Sequence, residues 1–376
     1  MGWHRILFMR VIFAVSLLAL LLAVPAWAGE TKAKRTELDE KVDSGLAFLQ
    51  RQQEADGSWG TSKGGARHTA ITALSVMAFL SAGHVPGEGK YGETVEKGVR
   101  WVMKQQNQEG LLAADAAHEM YHHGICTLML AEVAGMTDGK LGDEVRDRLK
   151  KAITVTLKAQ RNKDCGQHEG GWRYHVAQSL DRNTSDISCT GWQILSLRAA
   201  KDLGCDVPPE AIDRAVDFVK RCQLSSPDKD SDGAFHYLPG NRITSACTGT
   251  SVLCLELSHK GKGHAEESLR GGNYLLNHIP AWGGGSEGHF FYAAYYSSQA
   301  MFQLGGNYWD AFSAKLRRTL LDNQQKDSGG WFGGDNDAQA YGPNYATAMA
   351  ILALTVEYHY LPIYQRGEEP GTKDKK

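Results

Sequence analysis

The chain carries no excess of one charge. Its 41 Lys and Arg oppose 43 Asp and Glu, for a formal net charge of −2 over 376 residues. That balance gives no sign of a nucleic-acid partner. No Cys-x-x-Cys pair occurs among the seven cysteines at positions 126, 165, 189, 205, 222, 247 and 254. The commonest short zinc and redox signatures are therefore missing. Because the number is odd, at least one thiol stays unpaired within the chain, and the spacings imply no connectivity. No glycine tract accompanies the 42 glycines, which fall in short clusters, so disorder is expected only at the ends.

The apolar run at residues 11–24 is too short for a comfortable membrane span. Arg5 and Arg10 precede it, and Ala26-Trp27-Ala28 follows as a small-x-small cleavage site. Residues 1–28 are therefore expected to be a signal peptide, and the protein to be exported to a periplasmic or extracellular space. No transmembrane span is expected in the mature chain. Removing residues 1–28 takes away two arginines and no acid, shifting the formal charge from −2 to −4. No cysteine follows the run directly, so lipid attachment there is not expected. Residues 29–38 form a charged lead-in, and residues 363–376 a polar tail expected to be flexible.

Residues 39–362 hold an internal repeat, which outranks other signals because each unit must stack on its neighbours to bury a core. The segment 320–354 combines a helix end carrying Gln324-Gln325, a Gly-rich turn with Trp331 and a small, apolar helix. Residues 46–80 repeat that order around Gln52-Gln53 and Trp59. Six units follow one another. Their first helices end at Gln52, Gln105, Gln160, Gln223, Asn277 and Gln324, spaced by 53, 55, 63, 54 and 47 residues. Trp172, Phe235 and Trp282 mark further turns, and Gly110-Leu111 stands at the second. The acidic turn 230–237 lacks the twelve-residue, Glu-terminated loop of a calcium site and is expected to be solvated.

The second helices align on small pairs: Thr69-Ala70, His123-Gly124, Thr190-Gly191, Thr248-Gly249, Ser297-Ser298 and Thr347-Ala348. Seven residues beyond the first of each pair stands Val76, Leu130, Leu197, Leu255, Leu304 or Leu354. Helices apolar on more than one side are buried, so these form an inner layer. The first helices are amphipathic, as Val95, Val99 and Val102 show, and form an outer layer. The expected fold is all-α: six helical hairpins in two concentric rings, an α/α toroid. The pattern alone does not separate a closed ring from an open arc.

The Gln-bearing helix end, Gly-rich turn and Trp resemble the QW-type repeat of the prenyltransferase and squalene-cyclase superfamily. Gln52–Trp59, Gln160–Trp172 and Gln324–Trp331 carry the resemblance. It implies a single toroid and leaves activity open, because fold and chemistry are separable. The cyclases of that superfamily protonate an alkene through an Asp-x-Asp-Asp motif. Here Asp186 matches the first position, while Ser188 and Cys189 stand at the later acid positions. A terpene-cyclase or prenyl-transfer activity is accordingly an alternative, with Asp186 as its candidate acid.

Three groups of residues bear chemistry. The residues preceding the small pairs are His68, His122, Cys189, Cys247, Tyr296 and Ala346, so metal-capable side chains recur at one register in four units. Neighbouring pairs such as Cys189 and Cys247 are candidates for a shared ion or a disulfide; buried packing is the competing reading. His118-Glu119-Met120-Tyr121-His122 has the form H-E-x-x-H. On a helix, His118 and His122 would share a face as zinc ligands and Glu119 would be a general base, the basis of a zinc-hydrolase alternative. His123, Tyr292, Tyr296 and Arg67 complete the candidate cavity set, and Arg67 with Arg242 would favour an acidic ligand if both faced one mouth. Asp335 and Asp337 are expected to be solvated. The leading expectation is a protein that binds an elongated apolar or polymeric ligand in a central cavity.

Overall fold

A computed structural model describes residues 35–113, 116–259, 263–283, 285 and 287–365. The expected signal peptide, and most of the lead-in and tail, lie outside the described residues. Among the described residues are twelve α-helices, short 3-10 turns and isolated bridges. The outer helices are α1 (Glu37–Gln52), α3 (Gly92–Lys104), α5 (Gly139–Ala159), α7 (Pro209–Arg221), α9 (Glu266–Asn277) and α11 (Gly306–Asp322). The inner helices are α2 (Thr69–Ser81), α4 (Glu119–Met136), α6 (Ile187–Asp202), α8 (Ser245–Ser258), α10 (Phe290–Leu304) and α12 (Asn336–Leu354). Every residue of α2 is buried, whereas α7 buries only Ala211, Ile212, Ala215, Phe218 and Val219. This is the difference expected between a helix wrapped on all sides and one facing solvent.

The ring closes. Each inner helix packs on the next, from α2 round to α12, and α12 returns to α2; α1 lies against α12. The small pairs make that approach possible. A Cβ on Gly249 of α8 would stand 2.8 Å from the Ser297 amide nitrogen of α10, and one on Gly191 of α6 would stand 2.2 Å from the Thr250 methyl of α8. Gly124 of α4 is crowded in the same way by Trp192 and Gln193 of α6. Glycine is required at these contacts for space, not for backbone conformation.

In five of the six repeats a Gln is a cross-brace; the fifth has Asn277 there. Gln53, Gln106, Gln160 and Gln223 each donate from Nε2 to a carbonyl of their own Gly turn. The same amide also donates to a carbonyl of the next outer helix: Thr94, Arg148, Ala211 and Glu267 respectively. Gln324 makes the last brace, to Gly329 O at 2.7 Å and to Lys41 O at 2.7 Å, joining the sixth unit to the first. In the first two units the second Gln of the pair does this, not the first. The repeat Trp takes an end-of-helix carbonyl. Trp59, Trp172 and Trp331 donate from Nε1 to Leu49, Thr156 and Leu320, each at 2.8 Å. Each carbonyl lies in the last turn of its outer helix, and accepting there satisfies the buried indole N–H.

All six inner helices begin on the same face, where the Gln-Gly-Trp turns lie. Two connections on the opposite face are very short: residues 137–138 between α4 and α5, and Gly305 alone between α10 and α11. The segment after α12 closes that opposite end. Its 3-10 turn Pro362–Tyr364 packs under α4 and α6, Ile363 and Tyr364 are buried, and Tyr364 Oη bonds Tyr295 Oη. Residues 363 and 364, expected in the loose tail, therefore belong to the core.

Candidate functional site

The first turns of the inner helices are held in place by side-chain caps. His68 Nδ1 accepts from Ile71 N, Asp186 Oδ1 from Cys189 N, Thr244 Oγ1 from Cys247 N and Asp335 Oδ1 from Ala338 N. Such caps satisfy orphan amides at four of the six starts. Between the starts lies a cavity of about 310 Å³. Its apolar wall includes Ile71, Leu74 and Ile125, with Ala70, Ala246 and the Cys247 thiol. Tyr121, Tyr174, Tyr237, Tyr292, Tyr341 and Tyr345 present aromatic groups, and His68, His118, His122, His289, Asp337 and Arg242 the ionisable ones.

Two imidazoles in this wall are shifted in opposite senses. His289 Nδ1 lies 2.9 Å from Asp337 Oδ2, and that bond to the carboxylate raises the His289 pKa against the opposing effect of burial. Burial alone pushes His68 down to about 4. His68 stacks on His122 with centroids 4.5 Å apart, and His122 Nδ1 lies 2.6 Å from Thr69 Oγ1. The two imidazoles are thus biased towards opposite protonation states, His289 charged and His68 neutral.

Asp337 reaches His289 because α12 is broken. Gly342 has φ +78°, Pro343 follows it, and the turn before the break lays Asp337 and Tyr341 over the cavity. A Cβ at Gly342 would lie 2.0 Å from Thr61 O, so position and conformation both demand glycine. Neither acid of this turn is simply solvated. Asp335 is buried and also accepts from Phe291 N, while Asp337 pairs with His289.

A second element over the cavity is the long loop of the 63-residue spacing. Arg161, fully buried, donates to Thr184 O, Ala159 O and His175 O, and pairs with Asp181 Oδ2 at 2.6 Å. Asp181 also accepts from His175, through its backbone N–H at 2.9 Å. This network holds Tyr174 at the cavity, where its hydroxyl meets that of Tyr237 at 2.5 Å.

The candidates from sequence divide. His68, His118, His122, Cys247 and Tyr292 line the cavity. Tyr296 sits one turn deeper on α10, fully buried against Trp192. His123 is a packing residue: Nδ1 accepts from Leu112 N, and Nε2 lies 3.1 Å from both Ala152 O and Thr156 Oγ1. Arg67 faces outward, held near Glu54 and Asp56, so it shares no mouth with Arg242. Cys189 is buried with its thiol directed to Arg173 O, and all seven cysteines are free, so Cys189 and Cys247 form no disulfide.

The register itself slips in the first unit. Trp172 N, Phe235 N and Trp331 N donate to Thr190, Thr248 and Thr347, but Trp59 N donates to Thr72. The counterpart of Cys189 and Cys247 there is Ile71, and His68 lies a turn earlier, as the cap.

The zinc arrangement fails on geometry. His118 precedes α4, with φ −144°, so it shares no helical face with His122. Glu119 Oε1 accepts from Val176 N at 2.6 Å, which clamps the long loop instead of facing a reaction centre. Among the described residues no group of three or more His, Cys, Asp or Glu is placed to hold a metal. Asp186 has its Oδ1 spent on Cys189 N and Ser188 Oγ, at 2.8 and 3.0 Å, and Arg173 Nε 3.8 Å from Oδ2. Burial raises its pKa to about 6 against these favourable contacts. It lies behind Ser188, which lines the cavity. The features sequence reasoning missed are the His289–Asp337 pair and Tyr174, Tyr237 and Tyr341. Only the His at the start of the fifth inner helix gave any signal.

No curated protein sequence matches the chain. Solved structures share its fold at low identity. An inactive variant of an alpha-1,6-mannanase of Salegentibacter, in complex with alpha-1,6-mannotetrose, aligns with TM-score 0.63 and 12% identity over 85% of this chain and 98% of that one. A cellobiose 2-epimerase from Spirochaeta thermophila aligns with TM-score 0.59 and 13% identity over 85% and 95%. A type II terpene cyclase from Scytonema aligns with TM-score 0.56 and 13% identity over 86% and 99%. These likenesses show the fold. Among the described residues no helix is long and apolar enough to cross a membrane. The prenyltransferase alpha-alpha toroid domain matches at residues 8–113 and 160–270, and the chain belongs to that family.

Proposed function

We propose that the protein binds a polymeric, sugar-like ligand, one segment of which enters the cavity at the start of the inner helices. The observation that carries this reading is the make-up of the wall, where tyrosine groups alternate with imidazoles, a carboxylate and a guanidinium. Sugar rings have an apolar face suited to aromatic stacking and hydroxyls suited to such polar partners. The mannanase and the epimerase that share the fold are named for carbohydrates.

A second reading, an elongated apolar ligand, is favoured by the floor of Ile71, Leu74 and Ile125. One experiment separates the two. The purified mature protein is titrated calorimetrically with mannotetraose and cellotetraose, and is extracted for polyprenyl lipid. Saturable sugar binding that is lost in Tyr174→Ala supports the proposal. Lipid at one equivalent, with no sugar heat, refutes it in favour of the second reading. The basic start and apolar run also support export, which N-terminal sequencing of the mature protein would test: a first residue other than Gly29 or a near neighbour would count against cleavage there.

A further inference from the structure

The charges around the cavity do not balance. Arg242 lines it, its guanidinium carbon 5.9 Å from the centre of the Tyr237 ring. Among the described residues none forms an ion pair with that guanidinium or accepts a hydrogen bond from it. The other charges nearby are already matched. Asp337 is the one carboxylate among the described lining residues, and it is spent on His289. Arg173, over Tyr174, faces the buried Asp186. Glu287, close to the start of α8, is taken up by the Ser245 amide and hydroxyl. What remains is a cation at the cavity with no ion-pair partner among the described residues.

From this we infer that the ligand is anionic: a sugar chain bearing a carboxylate or a phosphate ester, which Arg242 binds at the mouth while the neighbouring sugar enters between Tyr174, Tyr237 and Tyr341. A guanidinium is a planar fork that pairs with either group through two parallel hydrogen bonds. Arg242 is exposed and braces nothing, so it can meet a ligand without breaking the fold.

This inference rests on the sugar reading above, and the test keeps the two apart. The mature protein and its Arg242→Gln variant are titrated calorimetrically with tetragalacturonate, with mannose 6-phosphate and with neutral mannotetraose, in low and in high salt. Circular dichroism checks that the variant is folded. The expected result is that at least one anionic probe binds at least tenfold more tightly than the neutral chain. Salt should weaken that binding, and Arg242→Gln should remove the advantage of the anionic probe over mannotetraose. Preference for the carboxylate or the phosphate probe identifies the anion. Equal binding of charged and neutral chains overturns the inference and leaves the sugar reading standing, as does an anionic preference that survives Arg242→Gln. Absence of binding by all three probes overturns both.

Discussion

Ring closure rests in part on one amide, and removing it should be measurable. Gln324→Met keeps the length and volume of the side chain and deletes the Nε2 donor. Two acceptors lose a partner: Lys41 O in α1 and Gly329 O in the last turn, both at 2.7 Å. The Lys41 carbonyl is only part-buried and can regain water, so its loss is worth roughly 1 kcal/mol; the buried Gly329 carbonyl left unpaired costs about 1–3 kcal/mol. The expected loss is about 2–4 kcal/mol. It would be read by urea unfolding followed by circular dichroism, as a lower midpoint at unchanged slope. Gln223→Met breaks the equivalent brace inside the ring, to Gly233 O and Glu267 O, and should cost a similar amount. Gln52→Met removes an exposed acceptor of Lys63 N and should stay within about 0.5 kcal/mol. If Gln324→Met lost no more than Gln52→Met, the cross-brace would have no energetic meaning and the repeat Gln would need another explanation.

Gly249→Ala should destabilise by about 1–3 kcal/mol in the same assay, because the new methyl meets backbone of α10 that cannot move aside; a neutral result would show that the inner helices are not close-packed there. Asp337→Asn should lower the His289 pKa, read from its imidazole resonances by NMR. Because the folded pKa is raised, the pair stabilises the protein fully below the unfolded value near 6.5, and that contribution disappears as pH rises through the folded value. An unmoved His289 titration in Asp337→Asn would exclude the pairing. Glu119→Ala should speed amide hydrogen exchange at Val176 roughly fivefold for each 1 kcal/mol of lost hydrogen bond, whereas Glu119→Gln, which retains an acceptor oxygen, should not. Equal acceleration in both variants would contradict the clamp.

The architecture was legible in the sequence because it is written in volume and in repetition. A buried inner helix has to be small and apolar on every side, and a helix end has to dispose of its carbonyls, so the Thr-Gly pairs and the Gln and Trp positions report directly on packing. The cavity was only partly legible. His68, His122, Cys247 and Tyr292 could be placed because they sit at or near the repeat register. Asp337 could not, since it reaches His289 only through the break at Gly342 and Pro343. Tyr174 arrives on an irregular loop held by Arg161, whose burial no periodicity announces. His123 and Glu119 misled for the opposite reason. Both bear residue types used in catalysis, and their roles are set by partners far along the chain, Ala152 and Val176, which a local motif cannot show.

The two faces of the ring explain why chemistry gathers at one of them. On the face where the inner helices end, connections as short as Gly305 tie inner to outer helix and leave no length for side chains to be carried elsewhere. The segment around Tyr364 then fills the axis at that end. On the other face every unit must cross from the outer ring back to the inner one through a Gly-containing turn, and that longer path can grow without disturbing the helices. The unit with the longest spacing spends its extra residues on the loop that delivers Tyr174. The last unit breaks α12 to deliver Asp337 and Tyr341. The braces and small pairs that close the ring recur round the chain, whereas the residues that equip the cavity differ from unit to unit. A change at a brace should therefore weaken the fold and leave ligand preference intact, and a change at Tyr174 or Arg242 should do the reverse.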